Sequence, residues 1–438
     1  MLPEMRAQHV PALSVAVIHR GKIDWAKGYG VANAAGTPVT PHTLFQAASI
    51  SKSVAAMAAL HLVEQGKLAL DAPVPTALHQ WHLTGPALTP QHPVTLRALL
   101  SHTAGTSVPG YDGYAAGAAV PTLPQVLDGQ SPANSAPVVV RTAPGTAYAY
   151  SGGGYSVVQQ LLGEAQPQAF ADLLRTTVLG PCGMTASTFA QPLPAAQRPA
   201  VAQPTNGFGQ YLPGGPHTYP EQAAAGLWTT ASDLARWIIE VQGSLAGRAN
   251  HVLSAPMTRT MLTPVQAQYG LGVETGGGPA ARYFAHSGAN AGYNTYYIGY
   301  ERGEGAVVLT NSNSGDVVIQ ELLRSIARAY GWPDFKPVPR VLADVPLPVQ
   351  ARYRGHYRAE GLVDFNVQLV GQQLQLVVPD QLAYTLLPAA PSLFFARDSE
   401  LQVRFDSRDR GVILFKQPTG SLQAATGVPF HRLTPHQR

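Results

Sequence analysis

The chain has 438 residues, of which 45% are hydrophobic and 12% are charged, which suggests two to three domains with a large buried core. This composition excludes an intrinsically disordered chain. The formal net charge is +4, but no run of lysine or arginine occurs, so nucleic acid is not expected as a partner. The single cysteine, Cys182, excludes an intrachain disulfide and a cysteine-rich metal site.

The sequence contains no apolar run long enough to span a membrane, so no transmembrane segment is expected. Residues 10–18 are apolar but short, and they lead into turn-forming residues, which is typical of a strand rather than of a signal peptide. Two locations stay open on this basis. The protein is periplasmic or secreted if an upstream signal peptide was removed, and cytoplasmic otherwise.

The first predicted elements are a β-hairpin, over residues 13–18 and 23–30, and a buried α-helix. The helix contains only apolar residues from 54 to 60, and Gly66 marks its end. Ser49 and Lys52 stand at its beginning as a Ser-x-x-Lys pair. Because residues three apart share a face of a helix, the Lys52 ammonium can reach the Ser49 hydroxyl.

Two observations favour a nucleophilic role for this pair. The chain has only six lysines, and Lys52 alone has a serine three residues before it. Lys52 also precedes a wholly apolar segment, where an unpaired ammonium is costly and a lowered pKa is expected. A serine at a helix N-terminus with a lysine in reach is the arrangement of a Ser–Lys nucleophile. The alternative is a helix-capping serine beside a lysine that extends to solvent.

The middle of the chain is predicted to be mostly helical and rich in loops. Short helices are expected over residues 95–100 and 156–164, and another begins near Thr230. Residues 190–222 form a long loop rich in proline and glycine. Loops of this length are typical of the rim of a functional cleft, so this loop and residues 106–140 are expected to select the substrate.

Strand patterns return after the helical block, and an amphipathic helix follows them. The strands are predicted at residues 269–274, 282–286, 293–300 and 306–311, and the helix at residues 316–330. We expect these strands to join the N-terminal hairpin in one antiparallel sheet. The fold class is therefore α/β of the α+β kind, with a sheet flanked by helices and a helical subdomain over roughly residues 67–225, in a first domain of residues 1–332.

Prolines then mark a stiff linker over residues 333–348, at positions 333, 337, 339, 346 and 348. Beyond the linker, apolar and polar residues alternate over residues 363–369 and 401–405, which is typical of short strands. Residues 349–438 are therefore predicted to form a small all-β barrel or sandwich. No catalytic constellation is evident in it.

A Ser–Lys nucleophile needs a proton relay and donors for an oxyanion. Tyr150 is one candidate, because it precedes three glycines that allow close approach of backbone to a ligand; a core tyrosine is the alternative. His286 is the other, at the predicted end of a strand. No lysine lies between Lys67 and Lys336, so a second cation in the site would have to be a histidine or an arginine.

Other catalytic motifs are absent from the sequence. There is no Gly-x-Ser-x-Gly, no His-Glu-x-x-His and no Walker loop. His79, His82 and His92 lie near one another in sequence but lack ligand spacing. Neither a metal nor a cofactor is therefore expected.

Three motifs together resemble the serine β-lactamase and penicillin-binding-protein superfamily, in particular the class C-like branch that includes esterases and D-aminopeptidases. They are Ser49-Ile-Ser-Lys52, Tyr150-Ser-Gly152 and His286-Ser-Gly288, in the order found in that superfamily. The similarity covers roughly residues 8–330. Flanking segments match as well, at residues 28–30, 99–105, 183–184 and 225–233. The C-terminal module resembles the lipocalin-like barrel that some members carry.

The resemblance implies roles for particular residues. Ser49 would attack an acyl carbon, Lys52 and Tyr150 would take its proton, and an acyl-enzyme would form and be released by water; which of the two is the base stays open. His286 would occupy the position of the cation of the third motif. The resemblance implies further that the backbone N–H groups of Ser49 and Ala289 form an oxyanion hole, and that the substrate contacts Gly152, Gly288 and Asn290.

The second motif departs from the superfamily pattern, because Gly152 replaces its asparagine. This change, together with histidine in place of lysine at position 286, favours a carboxylesterase or D-amino-acid peptidase acting on a small ester, amide or peptide. A β-lactamase or D-Ala-D-Ala carboxypeptidase is one alternative, and a penicillin-binding or sensor protein that does not turn over is another. We expect Gly152→Asn to change substrate choice more than stability. A homo-oligomer formed through the C-terminal domain is a further expectation.

Overall fold

The N-terminal hairpin forms one side of a six-stranded antiparallel sheet, which confirms the predicted sheet. The computed structural model describes residues 1–248, 251–336, 339–359, 363–379, 381–396, 399, 401–415 and 427–434. The strands are β1 (Ala12–His19), β2 (Lys22–Gly30), β3 (Phe45–Gln46), β4 (Trp228–Thr229), β5 (Glu274–Gly276), β6 (Tyr283–Asn290), β7 (Tyr293–Tyr300) and β8 (Gly305–Thr310). They lie in the sheet in the order β2-β1-β8-β7-β6-β5, and β3 pairs with β4 in a separate two-stranded ribbon.

Helices cover both faces of this sheet because successive side chains of a strand point to opposite faces. In β7, Tyr297 packs with the helices of the central block. Tyr296 and Ile298 point to the other face and pack against helix α10 (Gly315–Tyr330). The helices are α1 (Leu2–Ala7), α2 (Ser51–Glu64), α3 (Leu96–Leu100), α4 (Leu123–Asp128), α5 (Gly152–Ala165), α6 (Phe170–Leu174), α7 (Gln222–Ala225), α8 (Ala231–Leu245), α9 (Ala255–Leu262), α10 (Gly315–Tyr330) and α11 (Leu347–Gln350).

Helix α2 is buried along nearly its whole length. Its residues from Ser51 to Leu60 are all buried, and so is Leu62. A helix that is apolar on every side belongs in the centre of a protein, where each face meets another element. The helix follows a single 3-10 turn, Ala48–Ile50, so that Ser49 stands immediately before it.

Three local predictions are corrected by the structure. Residues 269–273 form a tight turn rather than a strand, because the Gly270 amide donates to the Val273 carbonyl and Gly272 has a left-handed backbone with φ +83°. His286 lies in the middle of β6 rather than at a strand end. Helix α5 begins four residues earlier than predicted, at Gly152, because the Ser151 side chain caps its first turn.

The C-terminal strands close into an eight-stranded antiparallel barrel, in which each strand pairs with the next along the chain and the last pairs with the first. Its interior is filled by apolar side chains, including contacting aromatic rings of Tyr357, Phe365, Phe405 and Phe430. Pro337 of the predicted linker lies outside the described residues. The strands are β9 (Gly355–Ala359), β10 (Asp364–Val370), β11 (Gln373–Val378), β12 (Leu382–Ala390), β13 (Leu393–Ala396), β14 (Leu401–Phe405), β15 (Arg410–Phe415) and β16 (Gly427–Arg432).

Two hydrogen bonds among the described residues join the barrel to the first part of the chain. The Gly207 amide donates to the Gln381 carbonyl at 2.5 Å, and the Tyr384 hydroxyl donates to Asp316 at 3.4 Å. Gly207 belongs to the long loop of residues 190–222, so the barrel supports that loop. None of the helices in the part of the chain that the structure describes combines the length and apolar character that a membrane crossing requires.

The burial of α2 generates a stability prediction. Leu60→Ala should lower the free energy of unfolding by about 2–5 kcal/mol, because a cavity forms where Leu60 is fully buried. Val63→Ala on the same helix is the control, since Val63 is half-buried, and should cost about 1 kcal/mol or less. All five tryptophans precede residue 333, so urea unfolding followed by their fluorescence reports on this unit alone. Equal losses in the two variants would contradict tight packing around α2.

Candidate active site

Ser49 lies in the 3-10 turn between β3 and α2, and it is half-buried between the buried residues Ala48 and Ile50. The turn is held in place by Ser51. Its hydroxyl donates to the Ala48 carbonyl at 2.5 Å and accepts the Leu227 amide at 2.9 Å. The Ser49 hydroxyl is thus presented at the start of the helix by a fixed backbone.

Lys52 reaches Ser49 as the sequence predicts. Its Nζ donates to Ser49 Oγ at 3.0 Å and to the Ala224 carbonyl of α7 at 2.8 Å. The side chain is only 2% exposed, and this burial lowers the pKa of Lys52 from 10.5 to about 7. Because the amine is largely unprotonated above that pH, it can accept a proton from the serine.

Tyr150 lies next to the same amine, immediately before Ser151, the capping residue of α5. Lys52 Nζ is 5.1 Å from the centre of the Tyr150 ring. Burial raises the pKa of Tyr150, and a hydrogen bond with the Ser49 side chain opposes this only in part. The phenol therefore keeps its proton near neutral pH, which makes Lys52 the better proton acceptor of the two.

His286 also lies beside this group, but it is not the cation that the resemblance implies. Its Nδ1 donates to the Ser287 carbonyl at 2.5 Å, and its Nε2 accepts the Tyr269 hydroxyl at 3.0 Å. Burial lowers the pKa of His286 to about 3; the charge of Lys52 adds to this effect, and the Ser287 carbonyl opposes it. The ring is therefore neutral at physiological pH, and both of its nitrogens are occupied.

The residues after His286 hold β6 against the Ser49 turn and against α7. A side chain at Gly288 would collide with the Ala47 carbonyl, so the glycine lets β6 pack against the Ser49 turn. The buried Asn290 amide donates to Gln46 at 2.8 Å and to the Ala225 carbonyl at 3.1 Å. Their predicted contact with substrate stays a prediction.

The predicted oxyanion hole lies at the boundary between β6 and the Ser49 turn. Ala289 is exposed at this boundary, whereas its neighbours in the strand, Gly288 and Asn290, are buried. Ser49 on the opposite side is half-buried. A pair of N–H donors formed by Ser49 and Ala289 stays a prediction.

The space next to Gly152 is filled by an aromatic ring. A Cβ at position 152 would lie 3.2 Å from the Tyr111 ring and 3.3 Å from the Pro109 carbonyl oxygen. The Tyr111 hydroxyl hydrogen-bonds with Ser156 Oγ at 2.7 Å, which ties the ring to the first turns of α5. A side chain at position 152 would therefore require the Tyr111 ring to shift by a few tenths of an ångström.

Several groups at the site were not expected from the sequence. The Ala224 carbonyl is a backbone group, and no residue type signals its role. Tyr269 lies in a segment that was predicted as a strand. His102 lies in residues 99–105, which match the superfamily but to which the sequence assigned no role. Half-buried Glu274, whose pKa is raised by burial to about 7, lies close enough to raise the pKa of Tyr150 by its charge.

Within the described ranges, no group of three or more histidine, cysteine, aspartate or glutamate residues could hold a metal ion. The reactive groups that meet at this place are the Ser49 hydroxyl, the Lys52 amine and the Tyr150 phenol. A serine hydroxyl, an adjacent amine of lowered pKa and a protonated phenol are the parts of an acyl-transfer site.

The fold is that of the penicillin-binding-protein and β-lactamase class. The family described as Beta-lactamase matches residues 2–330, and the chain belongs to that family. Penicillin-binding protein 4* of Bacillus subtilis (strain 168) is 23% identical over 409 residues, which cover 84% of each chain. A D-aminopeptidase of Gluconobacter oxydans (strain 621H) is 25% identical over 336 residues, which cover 74% of this chain and 59% of that protein.

Other relatives agree with this assignment. The chain spans 61% of the length of Protein Rv1367c of Mycobacterium tuberculosis (strain H37Rv), at 29% identity over 251 residues or 52% of this chain. The structure of the octameric penicillin-binding protein homologue from Pyrococcus abyssi has a TM-score of 0.62 at 21% identity and covers 98% of both chains. That likeness shows the fold, including the barrel. The family match over residues 2–330 confirms the predicted resemblance over roughly residues 8–330.

The filled space at Gly152 generates a second prediction, which reverses the expectation from the sequence. Gly152→Asn should lower the free energy of unfolding by about 1–3 kcal/mol, because the Tyr111 ring must move. Gly163→Asn in the same helix is the control: it is exposed with open space around it, so the change should stay within about 0.5 kcal/mol. Urea unfolding measures both. A Gly152→Asn protein as stable as the control would show that the ring does not restrict this position.

Proposed function

We propose that the protein is a serine acyl-hydrolase that acts through an acyl-enzyme on Ser49. The observation that carries this proposal is the 3.0 Å hydrogen bond from Lys52 Nζ to Ser49 Oγ, made by a buried amine whose pKa is lowered to about 7. Family membership supports it, because the motifs that hold these residues lie within the matched range.

The reaction would take place in two steps. Ser49 Oγ forms a bond to the acyl carbon while its proton moves to Lys52, and the leaving group departs with a proton supplied through Tyr150. Water then attacks the acyl carbon, the bond to Ser49 Oγ breaks, and the hydroxyl regains its proton. The phenol of Tyr150, which keeps its proton near neutral pH, is suited to relay protons rather than to act as the first base.

The preferred substrate is a small ester, or an amide of the kind that a D-amino-acid peptidase cleaves. His286 is neutral and both of its nitrogens are occupied, so it supplies no positive charge for the carboxylate of a β-lactam or of a C-terminal peptide. The similarity to a D-aminopeptidase over 74% of this chain supports the amide alternative.

A penicillin-binding protein that acylates without efficient turnover is the second candidate. Its support is the similarity to Penicillin-binding protein 4*, which extends over 84% of this chain. The Tyr111 ring beside Gly152 also favours it. With glycine in place of asparagine, no side-chain amide is available at position 152 to hold a substrate amide, and an aromatic ring lies there instead. Self-association through the barrel stays a prediction, as does the location of the protein.

The nucleophile is tested by covalent labelling. A fluorophosphonate should add to Ser49 and to no other residue, and hydrolysis of p-nitrophenyl esters should fall by several orders of magnitude in Ser49→Ala. Ser325→Ala, on the exposed face of α10, is the matched control and should keep full activity. Mass spectrometry locates the adduct, and a lasting adduct from penicillin would favour the second candidate. Absence of any adduct on Ser49 would refute the nucleophile assignment.

The base is tested by the pH dependence of acylation. Because Lys52 must be unprotonated, the rate of fluorophosphonate labelling should rise about tenfold per pH unit below pH 7 and level off above it. Lys52→Arg stays protonated and should label at a rate reduced by orders of magnitude at every pH. A rate that is constant between about pH 5 and pH 9 would exclude Lys52 as the base.

A further inference from the structure

His102 accepts hydrogen bonds from the residues immediately before and after Tyr150. Its backbone carbonyl accepts the Ala149 amide at 2.8 Å, and its Nδ1 accepts the Ser151 amide at 3.1 Å. The residue between these two amides is Tyr150. The backbone on each side of the phenol is therefore fixed to one histidine, which is 2% exposed.

The imidazole ring also packs against the phenol. The centres of the His102 and Tyr150 rings are 4.2 Å apart, with an angle of 39° between the ring planes. Three more tyrosine rings enclose the imidazole, with centres at 5.9, 5.3 and 4.9 Å: Tyr148, Tyr155 and Tyr269. The Tyr150 ring is thus packed against the buried imidazole of His102 on one side.

The hydrogen bonds define the protonation state of this histidine. Because a backbone N–H can only donate, Nδ1 must be an unprotonated acceptor, and the proton of the neutral ring is on Nε2. Burial lowers the pKa of His102 far below its ordinary value, and the charges of Lys52 and His286 add to this effect. Nε2 is buried and has no hydrogen-bond partner anywhere in the described ranges.

Two features of His102 are unfavourable for stability. Its Nε2 is an unsatisfied buried donor, and its backbone adopts φ +58°, which is sparsely populated by residues other than glycine. Such costs persist where the surrounding structure requires the residue, and they concentrate at functional sites. A core histidine with no other role would gain from replacement by a residue without the buried N–H.

We propose that His102 is a positioning residue that holds the Tyr150 hydroxyl at Ser49. The proposal rests on the proposed function, because it assigns the effect of His102 to the proton relay at Tyr150. His102 does not touch the reacting atoms. It acts by fixing the backbone on both sides of Tyr150 and by limiting the ring to one orientation.

Two variants separate these contributions. His102→Phe keeps a ring beside Tyr150 but removes the acceptor for the Ser151 amide. His102→Asn keeps an acceptor oxygen near the position of Nδ1 and tolerates positive φ, but it removes the ring. Each variant is combined with Tyr150→Phe in a double-mutant cycle, because a positioning residue should have little effect once its target hydroxyl is absent.

The measurements are the rate of fluorophosphonate labelling of Ser49 and the kcat and KM for a p-nitrophenyl ester, in variants whose folding is verified by circular dichroism and thermal unfolding. We expect His102→Phe to lower kcat by about a hundredfold with little change in KM, and His102→Asn to lower it less. In the Tyr150→Phe background, each His102 change should alter the rate by less than about threefold. If His102→Phe does not fold, His102→Asn completes the cycle.

The outcomes separate this inference from the function on which it rests. If the unsubstituted protein forms no adduct, the proposed function and the positioning role both fail. If the unsubstituted protein is labelled and Tyr150→Phe is slow, but the His102 variants react at the normal rate, only the positioning role fails. If the rate losses of the His102 variant and of Tyr150→Phe multiply in the double variant, the positioning role also fails. That result would show that His102 acts independently of Tyr150.

Discussion

The burial of the Lys52 amine is the constraint on which the rest of the site depends. A buried amine is tolerated only where acceptors meet it, and here these are the Ser49 hydroxyl and the Ala224 carbonyl. The second acceptor belongs to α7, which must therefore stay against the helix that carries Lys52. Asn290 secures α7 by donating to the Ala225 carbonyl, so β6 takes part in holding the amine as well.

The same burial determines the charges around the site. Within one water-poor volume, the pKa of Lys52 falls, those of His102 and His286 fall, and that of Tyr150 rises, because burial disfavours every charged form. Once Lys52 has lost its proton, none of these four groups carries a positive charge, while the neighbouring Glu274, with a pKa of about 7, is ionised. A site without a cation matches an acyl group that lacks a neighbouring carboxylate, which connects the packing of the site with the ester or amide proposed as its substrate.

Prediction from the sequence succeeded where one periodicity extended over a whole element. The N-terminal hairpin, the buried helix after Ser49 and the alternating barrel strands were all found, because each pattern reflects contacts that repeat along the element. It was wrong for residues 269–273, where β-rich composition hid a turn set by Gly270 and Gly272. It was also wrong on the place of His286 in its strand, because β6 continues from Ser287 to Asn290, four residues of low strand propensity that pair with β7.

The sequence by itself determined that Ser49 and Lys52 are within reach of each other, since residues three apart on a helical turn lie on one face. Its motifs also indicated Tyr150 as the third member. Only the tertiary structure decided that His286 is neutral and that Tyr111 lies beside Gly152. It also decided that His102 accepts hydrogen bonds from the backbone amides on both sides of Tyr150. These properties depend on burial and on contacts between separate segments of the chain, such as His102 with Ser151, Tyr111 with Ser156 and Tyr269 with His286. Local patterns carry no record of such contacts, because they form only when separate segments of the chain pack together.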